Sequence, residues 1–553
     1  MPRFLSLSRP HTPGQRQHAR GRSNGFSDGQ HRSGIWFVPC RGALLSLATA
    51  AALAGCSVLP TKPYERPALS VPDKWQQYDT VSQRDKASSV EDAAWWSHFG
   101  DAQLMSLIER ARLHNHDAVA AKLNLDKAQA LSGGASAALW PTASLNVSRH
   151  LHDTAAGAQG AQNMTFSLEQ EWDLWGRRAG EKAAAEAQSR ATAYDRAQVL
   201  QRVVRETASM YWKVAALEQR RELTLAALDD SRAEGARAKA RYTAGVVSAD
   251  VPAQADQEYA RVQSDLAAIE FECAAARSAL AILLGDAPGT TAGRTAGTTA
   301  GITADILSEL VPALPDVSKL PDIAVGIPAD VLARRPDLQA SEWLLRASYA
   351  NAGVARASLY PRITLTGQLG TRSSDLIDFI SRPLSSVVAT IGMPILRWHQ
   401  LRFDVKIADT NQALAQNTFA KNVHHALKEV EDGLAQRARF ERQYKAGSEV
   451  LSAATRIEEM MAIRYHAGEA DASSWYRQRA DRRHAALAQT EIHYLQLVNA
   501  IKLYQALGGG ASLPEAVAAS LPEDVPASLP EDGTASLPSD ATAALPEVVT
   551  LLS

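Results

Sequence analysis

The chain has 553 residues and a formal net charge of −2, with 46% hydrophobic and 21% charged residues. This balance is typical of globular proteins and lacks the charge excess of a nucleic-acid-binding protein, so we expect no nucleic-acid partner. Of the cysteines, Cys40 and Cys56 fall in a segment with the marks of processing, which leaves Cys273 as a small buried hydrophobe and provides no disulfide framework.

An apolar segment of about a dozen residues follows Arg41 and ends in small residues before Cys56. It is too short to span a bilayer, which takes about 20 residues. Its basic flank and small-residue end are typical of an export signal. We therefore predict that residues 1–55 are a signal peptide with an unusually long N-terminal extension, for which a translation start downstream of Met1 is the alternative.

The end of this signal, Leu53-Ala54-Gly55-Cys56, resembles a bacterial lipobox. The small residues of such a site admit a peptidase to the backbone, and the thiol takes a diacylglycerol. We predict this covalent lipid on Cys56 and no other cofactor, with a plain signal peptide and an incidental cysteine as the alternative. Ser57 in the next position resembles the sorting residue of outer-membrane lipoproteins.

The mature chain begins with a segment, residues 56–95, that contains four prolines and is therefore predicted to be an extended tether. A helical pattern follows over residues 96–138. Two stretches of period-two alternation, residues 142–150 and 164–172, predict half-buried strands. The second stretch places the following apolar side chains on one face: Met164, Phe166, Leu168 and Trp172.

A proline-free stretch, in which Gly180 and Gly235 are the glycines, then extends from about Arg177 to Tyr242. As a continuous helix it would be about 100 Å long. Gly245 ends it, and a return helix is predicted over residues 249–284. Because both helices are rich in alanine, we expect them to pack closely as a coiled-coil-like pair.

About 220 residues later the same series of elements returns, which indicates an internal duplication. The second series predicts helix 336–359, strands 362–370 and 385–396, long helix 401–465 and return helix 472–507. The paired markers are Trp140-Pro141 and Tyr360-Pro361, Arg241-Tyr242 and Arg464-Tyr465, Gly245 and Gly468, and Leu284-Gly285 and Leu507-Gly508.

The duplication sets the predicted domain boundaries. The first repeat covers residues 96–285 and the second covers residues 327–508, joined by a linker over residues 286–326 that is rich in Thr, Ala, Gly and Pro. Residues 509–553 consist of degenerate Ser-Leu-Pro-Glu-Asp repeats, which cannot form a packed core and are predicted to be disordered.

Each repeat offers two strands of about ten residues, the length that a tilted strand needs to cross a bilayer. Four strands cannot close a barrel, and an open sheet edge in lipid leaves backbone groups unsatisfied. We therefore expect closure by identical copies, with the long helices extending the tube away from the membrane. Three copies would supply about twelve strands, but the residues alone leave the number open.

Three groups of residues resemble the TolC-like outer membrane factor family, in its OprM/NodT-type lipoprotein branch, over about residues 56–510. The resemblance is carried by Trp96, Phe99-Gly100-Asp101, Leu104, Ile108, Ala111, Asn115 and Asp117, by Ile327-Pro328, Leu332, Arg334-Arg335-Pro336-Asp337, Ala340, Glu342, Ala347, Gly353, Ala355, Tyr360-Pro361, Leu365 and Gly367, and by Ile501 to Gly510. The chain departs from the family at residues 396–402, where Asp and paired Gly are usual, so that turn is expected to be built differently.

The resemblance implies a mainly α fold with a membrane β-barrel. Duplicated helix–strand–strand–helix halves would form, as a homotrimer, a 12-stranded outer-membrane β-barrel and a long periplasmic α-helical barrel. The implied role is the exit duct of a tripartite efflux system for small toxic compounds. Its partners would be a periplasmic adaptor, an inner-membrane pump, most often of the RND class, and outer-membrane lipid. A type I protein-secretion duct and a trimeric structural or adhesive surface protein are the alternatives.

Acidic residues at the predicted periplasmic turns are candidates for a channel gate, because the family commonly has acidic rings there. These residues are Asp250, Glu469 and Asp471. Three copies of one of them around a narrow lumen would select cations. The alternative is that they are helix N-terminal acids favoured by the helix dipole.

The same turns are the predicted tip of the helical barrel, and the resemblance implies adaptor docking near them. The tip residues are Arg241, Tyr242, Gly245, Arg464, Tyr465 and Gly468. For the Arg-Tyr pairs we favour a structural role, with a long stem against the neighbouring helix and a polar end at the turn.

No metal site or catalytic centre is predicted. His114, His116, His424 and His425 lack the helical spacing and cysteine partners of metal ligands. The sequence also lacks a Gly-x-Ser-x-Gly elbow, a phosphate-binding glycine loop and a His-Glu-x-x-His motif. The chain is therefore not expected to be an enzyme, and the energy for transport must come from a partner.

Overall fold

The computed structural model describes residues 64–69, 71–72, 75–76, 94–154, 157–287, 314–315, 334–373 and 384–509. The chain divides into two compact units, Met1–Ser57 and Val58–Ser553, and all described residues belong to the second. The predicted export signal, Cys56, most of the linker and the tail beyond Gly509 lie outside the described residues.

Two halves with the same order of elements form the described chain. The first half contains a 3-10 helix at Trp95–Phe99, α1 (Ala102–His114), α2 (His116–Ala137), β1 (Thr142–Thr154), β2 (Gly157–Trp172), α3 (Arg177–Thr243) and α4 (Asp250–Leu283). The second contains α5 (Pro336–Ala357), β3 (Arg362–Ser373), β4 (Leu384–Gly392), a 3-10 helix at Ile395–Arg397, α6 (Trp398–His466) and α7 (Ala472–Ala506).

The single helix expected over residues 96–138 is wrong, because the chain breaks at Asn115. This residue has an extended backbone (φ −60°, ψ 131°), and its side-chain oxygen accepts hydrogen bonds from the N–H groups of Asp117 and Ala118, at 2.9 and 3.2 Å. Asparagine is a strong helix N-cap, so it starts α2 where periodicity alone would continue α1.

The predicted strand boundaries also need correction. β1 and β2 extend well past the predicted residues 150 and 164 to form a hairpin in which Thr154 pairs with Gly157. β4 ends at Gly392 instead of 396, before Pro394, which has no N–H to donate to a sheet. The two halves re-enter helix differently, since Gly176 has φ 71° before α3 whereas a 3-10 helix precedes α6.

The long helices were predicted correctly. α3 has 67 residues and α6 has 69, about 100 Å each at 1.5 Å per residue. Gly245 and Gly468 follow them in the left-handed region, at φ 70° and 75°, which a residue with a Cβ adopts only with strain. The N–H groups of Val246 and Glu469 then return to carbonyls in the last helical turn, which completes a helix-ending motif.

Each return helix ends against the start of the helix that precedes the strands of its own half: α4 ends against α2, and α7 ends against α5. The side-chain amide of Asn115 donates to the Leu283 carbonyl at 3.0 Å, and a Cβ on Gly285 would lie 2.4 Å from the His114 oxygen. In the second half the Arg335 guanidinium donates to the Ala506 carbonyl at 3.1 Å. Both halves therefore have the same junction, and we call the level at which α4 and α7 end the waist.

The strands form one antiparallel sheet in the order β1-β2-β3-β4. The two hairpins join through β2 and β3, where Trp172 pairs with Ile363 and Gln162 pairs with Ser373. Helices follow the same order: α2 packs on α3, α3 on α5 and α5 on α6, while beyond the waist α4 packs on α3, α3 on α7 and α7 on α6. Within the described residues, one chain is therefore a wall of four strands that continues as four helices side by side, both before and beyond the waist.

The main hydrophobic core lies at the waist, where α1, α3, α4 and α7 meet. Its largest fully buried side chains include Tyr211 and Trp212 of α3 and Tyr504 of α7. Tyr504 stacks on Trp95 at 5.1 Å between ring centroids. The predicted buried position of Cys273 is confirmed, since it lies in this core at 4% exposure.

Candidate functional site

Register and alternation give the sheet two faces of opposite character. Residues opposite each other in antiparallel strands share a face, and successive residues alternate between faces. One face carries Ala143, Leu145, Val147, Met164, Phe166, Leu168, Trp172, Ile363, Leu365, Leu369, Val387, Ala389 and Ile391. The other carries Thr142, Ser144, Asn146, Thr165, Ser167, Glu169, Glu171, Thr364, Thr366, Gln368, Ser386 and Thr390.

The apolar face is exposed in the chain. Val387 is 76% exposed, Val147 66% and Ile391 65%. An exposed apolar surface of this extent is a contact site for protein or membrane. Alternation of apolar and hydroxyl or amide side chains is the pattern of a β-sheet between lipid and a water-filled lumen. The predicted common face of Met164, Phe166, Leu168 and Trp172 is confirmed by the register.

Exposed apolar and aromatic side chains gather where the strands join the helices. They are Trp140, Trp172, Leu174, Met393, Ile395, Leu396 and Trp398. This position suits a membrane–water boundary, where tryptophan is enriched. Trp175, by contrast, stacks on Tyr360 at 4.9 Å and donates its indole N–H to the Pro361 carbonyl at 2.7 Å, so it packs the junction instead.

At the opposite end, the turn between α6 and α7 is built from aromatic residues. Tyr465 stacks on Trp475 at 5.0 Å, and His466 lies 5.7 Å from the same ring. Arg237 of α3 lies over the ring of Tyr476 at 4.5 Å. This cluster connects the second tip turn to α3.

An ion-pair network joins α3, α6 and α7 beyond this aromatic cluster, further from the tip turn. Asp230 of α3, whose side chain is 10% exposed, binds Arg479 at 2.6 Å and also Arg483, both of α7. Glu458 of α6 accepts from Arg482 at 3.2 Å. The network thus ties three helices together near the end of the tube.

The predicted gate acids do not share one environment. Asp250 is exposed at the start of α4, where the Ser248 hydroxyl donates to it. Glu469 is exposed in the turn after α6, and Asp471 is the N-cap of α7. Whether any of them forms a ring in the assembled channel stays a prediction.

Hydrogen bonds from Ser473 and Ser474 lower the pKa of Asp471 to about 2. We predict that Asp471→Asn will keep helix stability within a few tenths of a kcal/mol, because Asn caps as well as Asp, whereas Asp471→Ala will lose about 1 kcal/mol. Thermal denaturation measures this difference. If Asp471 is also a gate residue, Asp471→Asn will lower cation selectivity in single-channel recordings; unchanged selectivity would leave it with the capping role only.

The predicted tip residues lie at the ends of α3 and α6 and in the turns that follow, but their exposure differs between the two halves. Arg241 and Tyr242 are exposed, whereas Tyr465 is half-buried against Trp475. The ring contact of Tyr465 with Trp475 agrees with the structural role favoured for the Arg-Tyr pairs. For Arg241 and Tyr242 that role stays a prediction. Docking of a partner at these turns stays a prediction.

Within the described residues, no group of three or more His, Cys, Asp or Glu side chains is arranged to hold a metal ion. Among the helices of the same residues, none combines the length and the apolar character needed to cross a membrane.

A two-faced sheet continued by 100 Å helices defines the class of protein: a membrane channel with a long helical extension. The family described as outer membrane efflux protein matches residues 107–286 and 327–509. The chain belongs to this family, and its function is that of an outer-membrane efflux channel. The two matched segments reproduce the internal duplication.

Similar proteins agree with this assignment. The chain is 27% identical over 479 residues to the pyoverdine export outer membrane protein OpmQ of Pseudomonas aeruginosa, covering 84% of this chain and 96% of OpmQ. It is 29% identical over 486 residues to the cation efflux system protein CusC of Escherichia coli, covering 85% and 99%. The Campylobacter jejuni CmeC outer membrane channel matches with a TM-score of 0.72 and 21% identity, covering 81% and 94%. The predicted fold class is confirmed.

Sequence reasoning missed the network around Asp230 and the hydrogen bond from the Tyr64 hydroxyl to Glu342 of α5, at 3.1 Å. The arginine-rich stretch of α7 after Trp475 was the available signal, because several arginines on a helix with few local acids need partners elsewhere. Nothing in the sequence identified Asp230 as that partner among the many acids of α3.

Proposed function

We propose that three copies of the chain form the exit duct of a tripartite efflux system, in which a periplasmic adaptor and an inner-membrane pump deliver small toxic compounds. The observation that carries the proposal is that the described wall is open at both sides. β1 and β4 each have one strand neighbour, and α2 shows no extended packing on α6. Unpaired strand edges are not tolerated in lipid, so other chains must complete the sheet.

The two open sides present different elements, β1 and α2 at one side and β4 and α6 at the other. This difference favours a closed ring. A head-to-tail contact between unlike surfaces generates a ring when the rotation closes. Each chain adds four strands, so two copies give about eight strands, a barrel that side chains fill, whereas three give about twelve and leave a lumen.

Exposed apolar stripes mark the surfaces that would meet. In the part of α6 next to the sheet, Phe403, Ile407 and Leu414 are all more than half exposed. Their spacing places them on one stripe of the helix. On the other side, Val119 and Leu123 of α2 form a similar pair. Packing α6 of one copy against α2 of the next would bury both stripes as it pairs β4 with β1.

The periplasmic half repeats this arrangement. Phe271 of α4 is 74% exposed on the helix at one side of the wall. Val450 and Ile457, one heptad apart, are exposed on α6 at the other side. Apolar residues one heptad apart form a coiled-coil seam, so the same two sides can join along the whole tube.

The interface predicts a clear effect of acidic substitutions. Phe403→Glu combined with Ile407→Glu will prevent trimer formation, because three copies would bury six carboxylates without partners, each at a cost of several kcal/mol. Analytical ultracentrifugation in detergent measures the mass of the assembly, and drug accumulation in a deletion strain measures function.

The matched control is Lys406→Glu combined with Asp404→Glu, which changes neighbouring residues outside the apolar stripe. Trimers that survive the Phe403 and Ile407 substitutions would contradict the proposed interface. Efflux that is absent in an intact trimer would instead favour the secretion-duct alternative, which transport of a large polypeptide tests.

Substrate choice is proposed to lie with the pump. One relative is named for pyoverdine export and another for cation efflux, although this chain matches both over nearly their full lengths. The described polar face of the sheet carries mainly hydroxyl and amide groups, which suit passage of many solutes more than selection of one. The duct is therefore proposed to be passive and to have no catalytic chemistry.

The lipid on Cys56 is part of the proposal. Its support is the lipobox-like sequence and the outer-membrane location of the family. Mass spectrometry of the N-terminal peptide will show a modified cysteine, and Cys56→Ser will abolish the modification. An unmodified mature N terminus would overturn this part without affecting the channel.

A further inference from the structure

The two repeats correspond residue by residue in the structure, as one pair of contacts shows. A Cβ on Gly285 would meet the backbone of His114, and a Cβ on Gly508 would meet the backbone of Arg334. Arg334 follows His114 by 220 residues, and Gly508 follows Gly285 by 223. The same two separations relate the paired markers of the sequence. A residue of α2 therefore corresponds to the residue of α5 that follows 220 positions later, and a residue of α3 to the residue of α6 that follows 223 positions later.

Inside the chain, α3 packs on α5 through small residues near the sheet. A Cβ on Gly180 would lie 2.8 Å from Cγ2 of Val354, closer than two carbon atoms pack, so glycine at this position lets the helices approach. Ala184 and Ala191, four and eleven residues further along α3, lie on the same face of the helix and are 7% and 0% exposed. The α3 side of this contact is therefore made of residues with little or no side chain.

The corresponding face of α6 has large side chains and is exposed. Its residues at the three matching positions are Phe403, Ile407 and Leu414, and all three are more than half exposed. α6 packs on α5 of its own chain by another face, which carries the buried Val423 and Ala426. The face by which α3 binds α5 inside the chain is therefore the face that α6 leaves open for a neighbouring copy.

On the other side of the contact, the matching position is a glycine. The residue of α2 that corresponds to Val354 is Gly134, which follows Gly133. Both glycines are exposed inside α2, and a Cβ on either would meet no described atom within 4 Å. Glycine is unfavourable in the interior of a helix relative to alanine. Because nothing in the described part of the chain fills the space beside these glycines, they indicate a contact with another chain.

A second pair of residues has the same spacing. Leu414 lies eleven residues after Phe403, and Leu123 lies eleven residues before Gly134. α6 runs away from the sheet and α2 runs towards it, so side by side they would be antiparallel, with the two pairs about 16 Å apart on one face of each helix. Leu123 is 61% exposed. One alignment of the two helices therefore places Phe403 over the glycines and Leu414 against Leu123.

We propose that the Phe403 ring of one copy sits on Gly133 and Gly134 of the next copy and fixes the register of the contact between α6 and α2. The inference rests on the proposed trimer and identifies the side chains by which one copy recognises another. The size relation is the reverse of that inside the chain, where Gly180 faces Val354. A phenylalanine facing valine would be overpacked, and a glycine facing glycine would leave a cavity, so the two contacts cannot be exchanged.

The test exchanges the sizes of the two residues in the full chain. Gly134→Val will lower the amount of trimer in the outer-membrane fraction about tenfold, because the valine occupies the place of the Phe403 ring. Valine is a better helix former than glycine, and its Cβ meets no described atom of its own chain, so the chain itself will fold. Phe403→Gly alone will also lower trimer. Combining the two substitutions will restore most of it, because they recreate between copies the pair that Gly180 and Val354 form within one.

The matched control is Gln129→Val, which introduces the same side chain at an exposed position of α2 about 140° around the helix from Gly134. It will leave the amount of trimer unchanged. Unheated electrophoresis measures trimer in all variants, and heated samples measure the total chain in the membrane.

Cysteine cross-linking tests the contact without disturbing its packing by a larger residue. Phe403→Cys combined with Gly134→Cys will form a disulfide between copies under a mild oxidant, because the contact inside the chain at the matching positions is within disulfide reach. Phe403→Cys combined with Gln129→Cys will not. A wild-type chain that is not trimeric contradicts the proposed duct. A trimer that tolerates Gly134→Val, that is not restored by Phe403→Gly, or that fails to cross-link overturns this contact alone.

Discussion

Val387→Arg will prevent the channel from inserting into the outer membrane, and Val388→Arg will not. The two valines are neighbours on β4 but lie on opposite faces of the sheet. Val387 pairs with Gly367 on the apolar face, and Val388 pairs with Thr366 on the polar face. The residue type, strand and depth are matched, so only the face differs.

The expected size of the effect follows from the solvent on each side. An arginine on the lipid face near the bilayer midplane costs about 2–4 kcal/mol, whereas a lumen position mainly alters selectivity. An assembly of identical copies carries this cost once in every chain. Unheated electrophoresis of the outer-membrane fraction measures inserted assembly, and equal insertion of the two variants would contradict the assignment of the faces.

Much of the fold could be predicted because it depends on local patterns. Period-two alternation predicted the strands, and long stretches without proline predicted α3 and α6. Gly245 and Gly468 marked their ends because only glycine adopts φ near +70° without strain. The break at Asn115 was missed although asparagine is a strong cap, because the apolar period continues through it.

The site was less accessible to sequence reasoning because its contacts join distant residues. Tyr64 and Glu342 are 278 residues apart, and Asp230 and Arg483 are 253 apart. Neither pair has a local pattern that selects one acid from its neighbours. The gate candidates were instead chosen by proximity to turns, which placed Asp471 correctly at a helix start but carries no information on the lumen.

Asp230→Ala will loosen the periplasmic end of the tube. Asp230 lies 13 residues before the end of α3, about 20 Å from the tip. Removing it leaves Arg479 and Arg483 partly buried with Glu458 as the remaining described acid of the network. Breaking such a pair by removing one partner costs about 3–5 kcal/mol, because the other charges stay buried.

Asp229→Ala is the matched control, since Asp229 is the adjacent acid on α3 and is exposed. It should change stability by less than about 0.5 kcal/mol. Urea denaturation of the assembled protein measures both values, and single-channel recording shows whether the loosened end conducts more. Equal effects of the two substitutions would show that the ion pairs of Asp230 do not stabilise the tip.

A double-mutant cycle decides whether the network acts as a unit. Arg483→Ala added to Asp230→Ala removes one of the unpaired charges, so the double variant should be more stable than the sum of the single effects predicts. Coupling of about 0.5–3 kcal/mol is expected for residues in one ion-pair network. If opening of the channel follows the same coupling, separation of α7 from α3 is the motion that widens the tip. Coupling in stability without any change in conductance would instead mean that these helices stay fixed while the channel opens.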